Sequence, residues 1–496
     1  MNVVYISPEV APLAKTGGLA DVAGALPKAL ENLGHDVSVF MPFYRQAKEY
    51  FDKGGAEQKI IETGVSVSVP IATRRPTADV LEARLPGSGV RLYLIRNDAY
   101  FDRTDLYTDS ARHADYDDNC ERFVFFSRAA LEAAEALGLQ PDVIHCNDWQ
   151  TGLVPAYVRT LYGNGKAVAD ARTVFSIHNM AYQGTFPQSH MQLTGLDWRL
   201  FNWKQLEFYG QLNCLKGGLV FGDILNTVSR RYAQEIQTEE FGCGLEGVLT
   251  ERTLDLHGVV NGIDCAVWSP EVDDLIPAGY SAADLSGKAA CKAELLRSQG
   301  LPESERTPLI GIISRLAAQK GFDILELALD EMMKLDLQIV MLGTGDKKYH
   351  QLFEVAAAKY PDKLAANLAF SNRLAHEIEA GCDMFLMPSR YEPCGLNQLY
   401  SLKYGTVPVV RATGGLADTI VDCNEESMAD GTATGFAFDA YGPAELLSTV
   451  ERALATYARP DDWSRLVANG MAQDWSWRRS AREYERLYEL ALTGAG

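Results

Sequence analysis

Residues 2–7, Asn2-Val3-Val4-Tyr5-Ile6-Ser7, and residues 16–21, Thr16-Gly17-Gly18-Leu19-Ala20-Asp21, decide the fold between them. The first is an apolar run that reads as a strand over residues 3–7. After a loop with two prolines, the second opens a helix. From Gly18 the apolar residues Leu19, Val22, Leu26, Leu30 and Leu33 recur at three- and four-residue steps, so they share one helical face. Gly34 stops that helix. Val37, Val39, Phe40 and Met41 form the next strand, ended by Pro42. Strand, helix and strand in this order make a βαβ unit, which implies parallel strands and a right-handed crossover.

The same grammar continues outward. Residues 92–95, 143–146 and 173–177 are further strand candidates, and a helical pattern covers 119–137. The first half therefore reads as an open parallel sheet covered by helices. Near Thr307 the pattern starts again. Strands are expected at 309–314, 337–342, 365–370, 384–387 and 407–410. Helices are expected at 322–335, 347–359 and 374–380, with short ones after Gly395 and Gly415. This is a second doubly wound α/β unit. A Gly-, Pro- and charge-mixed stretch at 230–305 separates the halves, with the join placed near residues 246–250, so domains of 1–248 and 249–461 are expected. Residues 463–492 read as one long helix. The opening stretch also recurs letter for letter as Thr413-Gly414-Gly415-Leu416-Ala417-Asp418, again after a strand and before a helix. Two copies, one per half, are too few for a solenoid. They point to two related crevices, and ligands in open α/β sheets bind at the carboxyl ends of the strands.

Bulk properties narrow the function. A chain of 496 residues exceeds one ordinary hydrophobic core. It has 46 basic and 66 acidic residues, a formal net charge of −20. That balance disfavours nucleic acid and anionic membranes as partners. Any anionic ligand must be held by a few local cations and backbone amides against the global field. The nine cysteines form no CxxC pair and no zinc-like cluster, which fits reduced thiols in a cytoplasmic protein. The N-terminus lacks the basic and apolar regions of a secretory signal, and no apolar run is long enough to span a bilayer. No metal-ligand spacing appears, so no metal and no cofactor are expected.

Four motifs carry chemistry. Lys15-Thr16-Gly17-Gly18 sets paired glycines and a cation before a helix N-terminus, a place suited to an anion. A tight turn beside a solvated lysine accounts for one such pair, and the second copy tips the reading toward a ligand. Arg315 and Lys320, five apart at a strand end, suit a diphosphate clamp, or equally two surface cations flanking a cap. Glu392, in Ser389-Arg390-Tyr391-Glu392-Pro393-Cys394-Gly395-Leu396, can accept from sugar hydroxyls or stabilise positive charge at an anomeric carbon. On position alone it reads as a helix-capping carboxylate. His145-Cys146-Asn147-Asp148-Trp149 and Ser176-Ile177-His178-Asn179-Met180-Ala181-Tyr182 follow neighbouring strands. Asp148 and His178 there can bond sugar hydroxyls, and Trp149 and Tyr182 can stack on a pyranose. A lone histidine in such a place is more often structural. Gly343-Thr344-Gly345-Asp346 lacks the third glycine of a dinucleotide fingerprint.

Taken together the chain resembles the bacterial glycogen synthases and plant starch synthases. The likeness rests on residues 15–22, 145–150, 178–184, 261–264, 314–321, 389–398 and 412–419, which fall in the family's order. It implies the GT-B fold, α/β, with two Rossmann-like doubly wound domains facing across a deep cleft and a C-terminal helix, here 462–496, packing back on the first domain. It also implies retaining transfer of glucose from ADP-glucose to the non-reducing end of an α-1,4-glucan, releasing ADP, without a metal. By this resemblance Glu392, His178, Arg315 and Lys320 would be catalytic. Lys15, Gly17, Gly18, Asp21, Asn261, Phe370, Cys394, Gly395, Leu396, Asn397 and Gly415 would line the donor pocket. Glu9, Asp148, Trp149, Asn179 and Tyr182 would face the acceptor. Front-face attack assisted by the leaving ADP is the expected path. Asn397, Arg230 and Phe370 depart from the residues common in the family at those places. The competing readings are a GT-B enzyme using UDP-glucose or another acceptor, and a non-catalytic glucan-binding protein. Oligomeric state is open.

Overall fold

A computed structural model describes residues 1–54, 59–112, 114–163 and 165–494. The chain divides into two compact units. One comprises Met1–Val228, Ala233–Gly262 and Trp477–Gly496, and the other Ser229–Tyr232 and Ile263–Ser476.

The first unit is built on a sheet of nine strands among the described residues. Across it run Leu256–Gly258, Ile224–Thr227, Arg172–Ile177, Val143–Asn147, Asn2–Ile6, Asp36–Pro42, Arg91–Arg96, Thr77–Arg84 and Ile61–Ser68. The first seven are parallel. Their near-continuous apolar sequences are those of strands covered on both faces. The opening helix, Gly18–Asn32, lies as expected and buries Leu19, Val22, Leu26 and Leu30. Four of these strands went unread: Leu256–Gly258, Ile224–Thr227, Thr77–Arg84 and Ile61–Ser68. Ile61–Ser68 and Thr77–Arg84 pair antiparallel at one edge, where one face stays wet and the pattern alternates with Ser and Thr.

The second unit carries a six-stranded parallel sheet among the described residues. Its order is Leu364–Asn367, Gln338–Leu342, Leu309–Ile313, Met384–Met387, Val407–Arg411 and Phe436–Phe438. In order of sequence this is 3-2-1-4-5-6, and the strand order reverses between Leu309–Ile313 and Met384–Met387. The expected helices at 322–335, 347–359 and 374–380 are Phe322–Met332, Lys347–Lys359 and Asn372–Gly381.

The unit boundaries differ from the expected ones. The chain stays with the first unit to Gly262, past residue 248, because Leu256–Gly258 adds a parallel edge strand beside Ile224–Thr227. The long C-terminal helix is two. Pro460–Met471 belongs to the second unit, and Trp477–Thr493 to the first. Between them Ser476 donates its N–H to the Asp474 carboxylate, and the Trp475 carbonyl accepts from Ile263 N–H, so neither group serves a helix. Of residues 462–496, then, the part from Trp477 packs on the first unit. It does so partly through polar groups, with Tyr488 and His145 Nδ1 hydrogen-bonded at 2.7 Å and Asn226 donating to Tyr484 at 3.0 Å.

Candidate functional site

The reversal of strand order in the second unit is where its candidate residues meet. Lys320 follows strand Leu309–Ile313, and Glu392 follows strand Met384–Met387. Their side chains pair, Nζ donating to Oε2 at 2.6 Å, and Ser389 Oγ donates to the same oxygen at 3.1 Å. Glu392 is 5% exposed. The two loops are stitched by backbone as well: Arg390 N–H donates to Gln319 O, and Gln319 Nε2 to Tyr391 O. Gly321 makes this possible. Its φ is +78°, and a Cβ there would lie 1.9 Å from the Pro388 carbonyl oxygen. Arg315 is exposed at the same sheet edge. Asn397 donates Nδ2 to the Ile313 carbonyl at 2.8 Å, so its amide nitrogen is engaged by the scaffold. Cys394 is buried, Gly395 has φ +72°, Leu396 is half-buried, and Phe370 stands exposed after edge strand Leu364–Asn367. The glycines of Gly343-Thr344-Gly345 make room for the Ser314–Leu316 backbone, Gly343 approaching Ser314 O and Gly345 Leu316 O.

In the first unit strand order reverses between Asn2–Ile6 and Val143–Asn147. The loop after the first of these holds Glu9, Lys15 and the glycine pair. Glu9 is buried and fully engaged. It accepts from Thr16 N–H and Oγ1 at 2.6 Å each, from Gly17 N–H at 3.3 Å and from Tyr107 at 2.8 Å. In this structure it anchors the Lys15–Gly18 turn. Lys15 pairs with Asp21 at 2.6 Å, and burial pushes the Asp21 carboxyl up against that cation's pull.

The loop after Val143–Asn147 holds Asp148 in an unusual conformation, φ +56° and ψ −177°, a region that is almost glycine-only. Its Oδ1 accepts from His178 N–H at 2.7 Å. Burial, joined by the Glu9 charge, pushes its carboxyl up to about 7 against the hydrogen bonds from the His178 and Asn179 backbone. Burial also lowers His178 to about 3, so the ring is neutral. Asn147 sets its tautomer. Asn147 Nδ2 donates to Ile6 O, and Oδ1 accepts from Tyr5 OH at 3.1 Å, so Oδ1 can only accept from His178 Nε2 at 3.0 Å. Nε2 carries the proton and Nδ1 the lone pair. Asn147 and Tyr107 escaped the sequence reading, although Asn147 lies inside the quoted motif; nothing local marks a side chain that acts by holding another.

Trp149 is half-buried. The chain at Gly184, φ +60°, runs against its ring, a Cβ there falling 2.2 Å from it, and Phe123 and Phe186 pack nearby. Asn179 turns its own loop through Ala181 N–H, and Tyr182 is exposed. Asn261 is buried in the first unit, its Oδ1 without a partner among the described residues.

The two identical glycine motifs differ in physical reason. A Cβ on Gly17 or Gly18 would meet nothing within 4 Å, and Gly17 has an ordinary φ of −154°. In the second copy, a Cβ on Gly414, φ +46°, would lie 2.0 Å from the Glu392 carbonyl oxygen, and one on Gly415 2.0 Å from that of Cys394. Gly415 N–H also donates to Glu392 O and Pro393 O at 3.1 Å. The first pair leaves room for a ligand, whereas the second packs the Glu392 loop. Gly414→Ala is therefore expected to lower stability by about 2–4 kcal/mol. Gly17→Ala is expected to leave it within about 0.5 kcal/mol and instead lower activity, by filling the open space at the turn. Thermal unfolding beside steady-state kinetics separates the two.

Residues 2–251 match the starch synthase catalytic domain family, and residues 296–468 the glycosyl transferases group 1 family. The chain is 48% identical over 491 residues to the glycogen synthase of Koribacter versatilis (strain Ellin345), covering 99% of this chain and 98% of that one. The chain belongs to the glycogen and starch synthase family. Against the glycogen synthase of Thermotoga maritima identity is 46% over 497 residues, all of both chains. The catalytic domain of starch synthase IV from Arabidopsis thaliana, solved bound to ADP and acarbose, superposes with a TM-score of 0.89 at 33% identity over 99% of each chain. Sucrose-phosphate synthase from Thermosynechococcus elongatus shares the fold alone, with a TM-score of 0.59 at 17% identity over the whole of both chains. The family is one of GT-B glycosyltransferases, and this chain is a glycosyltransferase of that fold.

Proposed function

We propose that this glycosyltransferase moves glucose from ADP-glucose to the non-reducing end of an α-1,4-glucan, with retention, releasing ADP. The observation that carries the reading is the Lys320–Glu392 pair at the strand-order reversal of the second unit, within a chain about 47% identical end to end to glycogen synthases. Breaking a glycosyl–phosphate bond builds negative charge on the nucleotide and positive charge on the sugar. Lys320, with Arg315 nearby on the same sheet edge, meets the first need, and the Glu392 carboxylate beside it meets the second. Those cations do for a diphosphate what a resident metal does elsewhere, so we assign no cofactor. In the first unit we assign neutral His178 to hydrogen-bonding of a sugar hydroxyl, which its Nδ1 lone pair accepts. The open backbone at Gly17 and Gly18 is assigned to the nucleotide sugar, and Asp148, Asn179 and Tyr182 to the acceptor. We place the reaction in the cytoplasm, in keeping with nine cysteines that are all free thiols. No described helix is long and apolar enough to cross a membrane.

The test is incorporation of labelled glucose into glycogen from ADP-glucose and from UDP-glucose, supplied separately. Strong incorporation from ADP-glucose and weak incorporation from UDP-glucose is the expected result. A preference for UDP-glucose overturns the donor assignment, and no incorporation from either by folded protein overturns the reaction.

A further inference from the structure

Among the described residues, five aromatic side chains stand exposed: Tyr182, Trp198, Trp203, Tyr209 and Phe370. Four of them fall in one stretch of the first unit, residues 182–209. Single exposed apolar residues need no explanation, but such a concentration does.

The stretch is firmly built. Thr185–Pro187, Gln211–Asn213 and Glu207–Phe208 form a three-stranded antiparallel sheet. Buried Lys216 donates Nζ to the carbonyls of Trp203 at 2.5 Å and Glu207 at 2.7 Å, pinning the loop between them. Asn202 Nδ2 donates to Arg199 O and to Gln205 Oε1, each at 2.8 Å. The hairpin tip is Tyr209-Gly210, with φ of +48° and +79°. Two-residue turns of this kind favour Asn, Asp or Gly at the first position, and a tyrosine there is disfavoured. Yet Tyr209 occupies it and is 82% exposed, and Trp203 is 71% exposed. Phe208 meets the Tyr209 ring edge-on and Lys204 lies over the Trp203 ring, yet most of each residue stays open to solvent. Rings held outward on a rigid backbone lose little freedom when a ligand stacks on them.

The surroundings select the ligand. Arg199, Asn202, Lys204, Gln205 and Gln211 are interleaved with the rings along the chain, and Lys204 lies over the Trp203 ring, so the stretch carries both apolar faces and hydrogen-bonding groups. A pyranose offers the match, with a face of C–H bonds and a rim of hydroxyls. A neutral polysaccharide also meets no repulsion from a chain of net charge −20. The core of an interface between copies is depleted in charged residues, and Lys204 and Arg199 interrupt this surface.

We propose that the stretch around Trp198, Trp203 and Tyr209 is a glucan-anchoring site, whose rings stack on sugar units of an α-1,4-glucan chain and hold the polymer to the enzyme. It rests on the reaction proposed above. Tyr182 is already assigned to the acceptor, so the test uses Trp203→Ala and Tyr209→Asn, separately and combined. Asn tolerates positive φ, so the second removes the ring without straining the turn.

Wild type and variants are run in native gels containing glycogen, and assayed with glycogen and with maltotriose as acceptors. Each ring lost is expected to raise the apparent Kd for glycogen, and KM for glycogen, roughly three- to tenfold. Kinetics with maltotriose and KM for ADP-glucose stay within about twofold of wild type, as expected for rings outside the reacting centre. Unchanged retardation by glycogen in the double variant overturns the site. So does a shift to a smaller species in sedimentation with glycogen affinity intact, which assigns the surface to self-association. Wild type that is retarded by glycogen but transfers no glucose to either acceptor sinks the reaction and leaves this site standing.

Discussion

Lys320→Ala is expected to lower kcat by about 10²–10³-fold or more, the loss that follows removal of one fixed group stabilising developing charge. KM for glycogen is expected to hold. The substitution also strands Glu392, which is buried and, among the described residues, has only Ser389 as its other side-chain donor. Breaking a buried pair by removing one partner costs about 3–5 kcal/mol, and less here because the Lys320 side chain keeps 22% exposure. A fall in melting temperature should therefore accompany the fall in rate. The double variant Lys320→Ala/Glu392→Gln separates the causes. With the stranded charge gone, stability should return most of the way to wild type, whereas activity should stay at the level of the single variant or below. If activity returns along with stability, the pair is only a structural strut. Lys320→Arg should rescue little, because a planar fork cannot stand in for a compact ammonium seated 2.6 Å from the Glu392 carboxylate.

That pair shows how much the sequence can reveal. Both residues were legible as strand-end residues, since the strands are short apolar runs and the loops after them carry Gly and Pro. That they touch was not legible. They lie 72 residues apart, and they meet because strands one and four of the second sheet are neighbours. Local periodicity reports an element and says nothing of its place in the sheet. The repeated Thr-Gly-Gly-Leu-Ala-Asp motif makes the same point more sharply. Identical letters were read as two like ligand loops. In the structure Gly17 and Gly18 face open space, and Gly414 and Gly415 press on the backbone of residues 392–394. Whether a glycine serves a ligand or a neighbouring chain depends on what lies within a few ångströms, which a motif does not contain. Glu9, expected to face the acceptor, is buried and holds the turn that follows it, a contact its place in the sequence does not reveal. The unread edge strands at residues 61–84 and the hairpin at 207–213 have short or half-polar patterns, because they are not covered on both faces.

Asp148→Asn is expected to make the protein more stable and less active, with the gain in stability depending on pH. The native carboxyl is pushed up to about 7 from an ordinary 3.8, chiefly by burial. A group raised in this way contributes stability below its unfolded value and loses that contribution as pH rises through its folded value. Asparagine does not titrate. Near pH 4 the variant and wild type should thus melt within about a degree of each other, since both side chains are then largely neutral. Between pH 4 and 7 the variant should pull ahead, reaching about 1–3 kcal/mol, or several degrees, at pH 8. The backbone conformation gives no reason for a loss, because Asn tolerates positive φ at least as well as Asp. Its Oδ1 can still accept the His178 N–H that Asp148 holds at 2.7 Å, so the histidine stays in place. A fall in kcat of about 10- to 100-fold then reports the missing charge at this strand end, not a displaced ring. Parallel stability–pH curves for the two proteins would show that Asp148 ionises as an ordinary surface carboxylate does. Diverging curves with unchanged activity would leave a strained, half-buried carboxylate that serves no step of the transfer. The expected combination, stability gained where charge is lost and rate lost with it, marks a residue kept for catalysis at the expense of the fold.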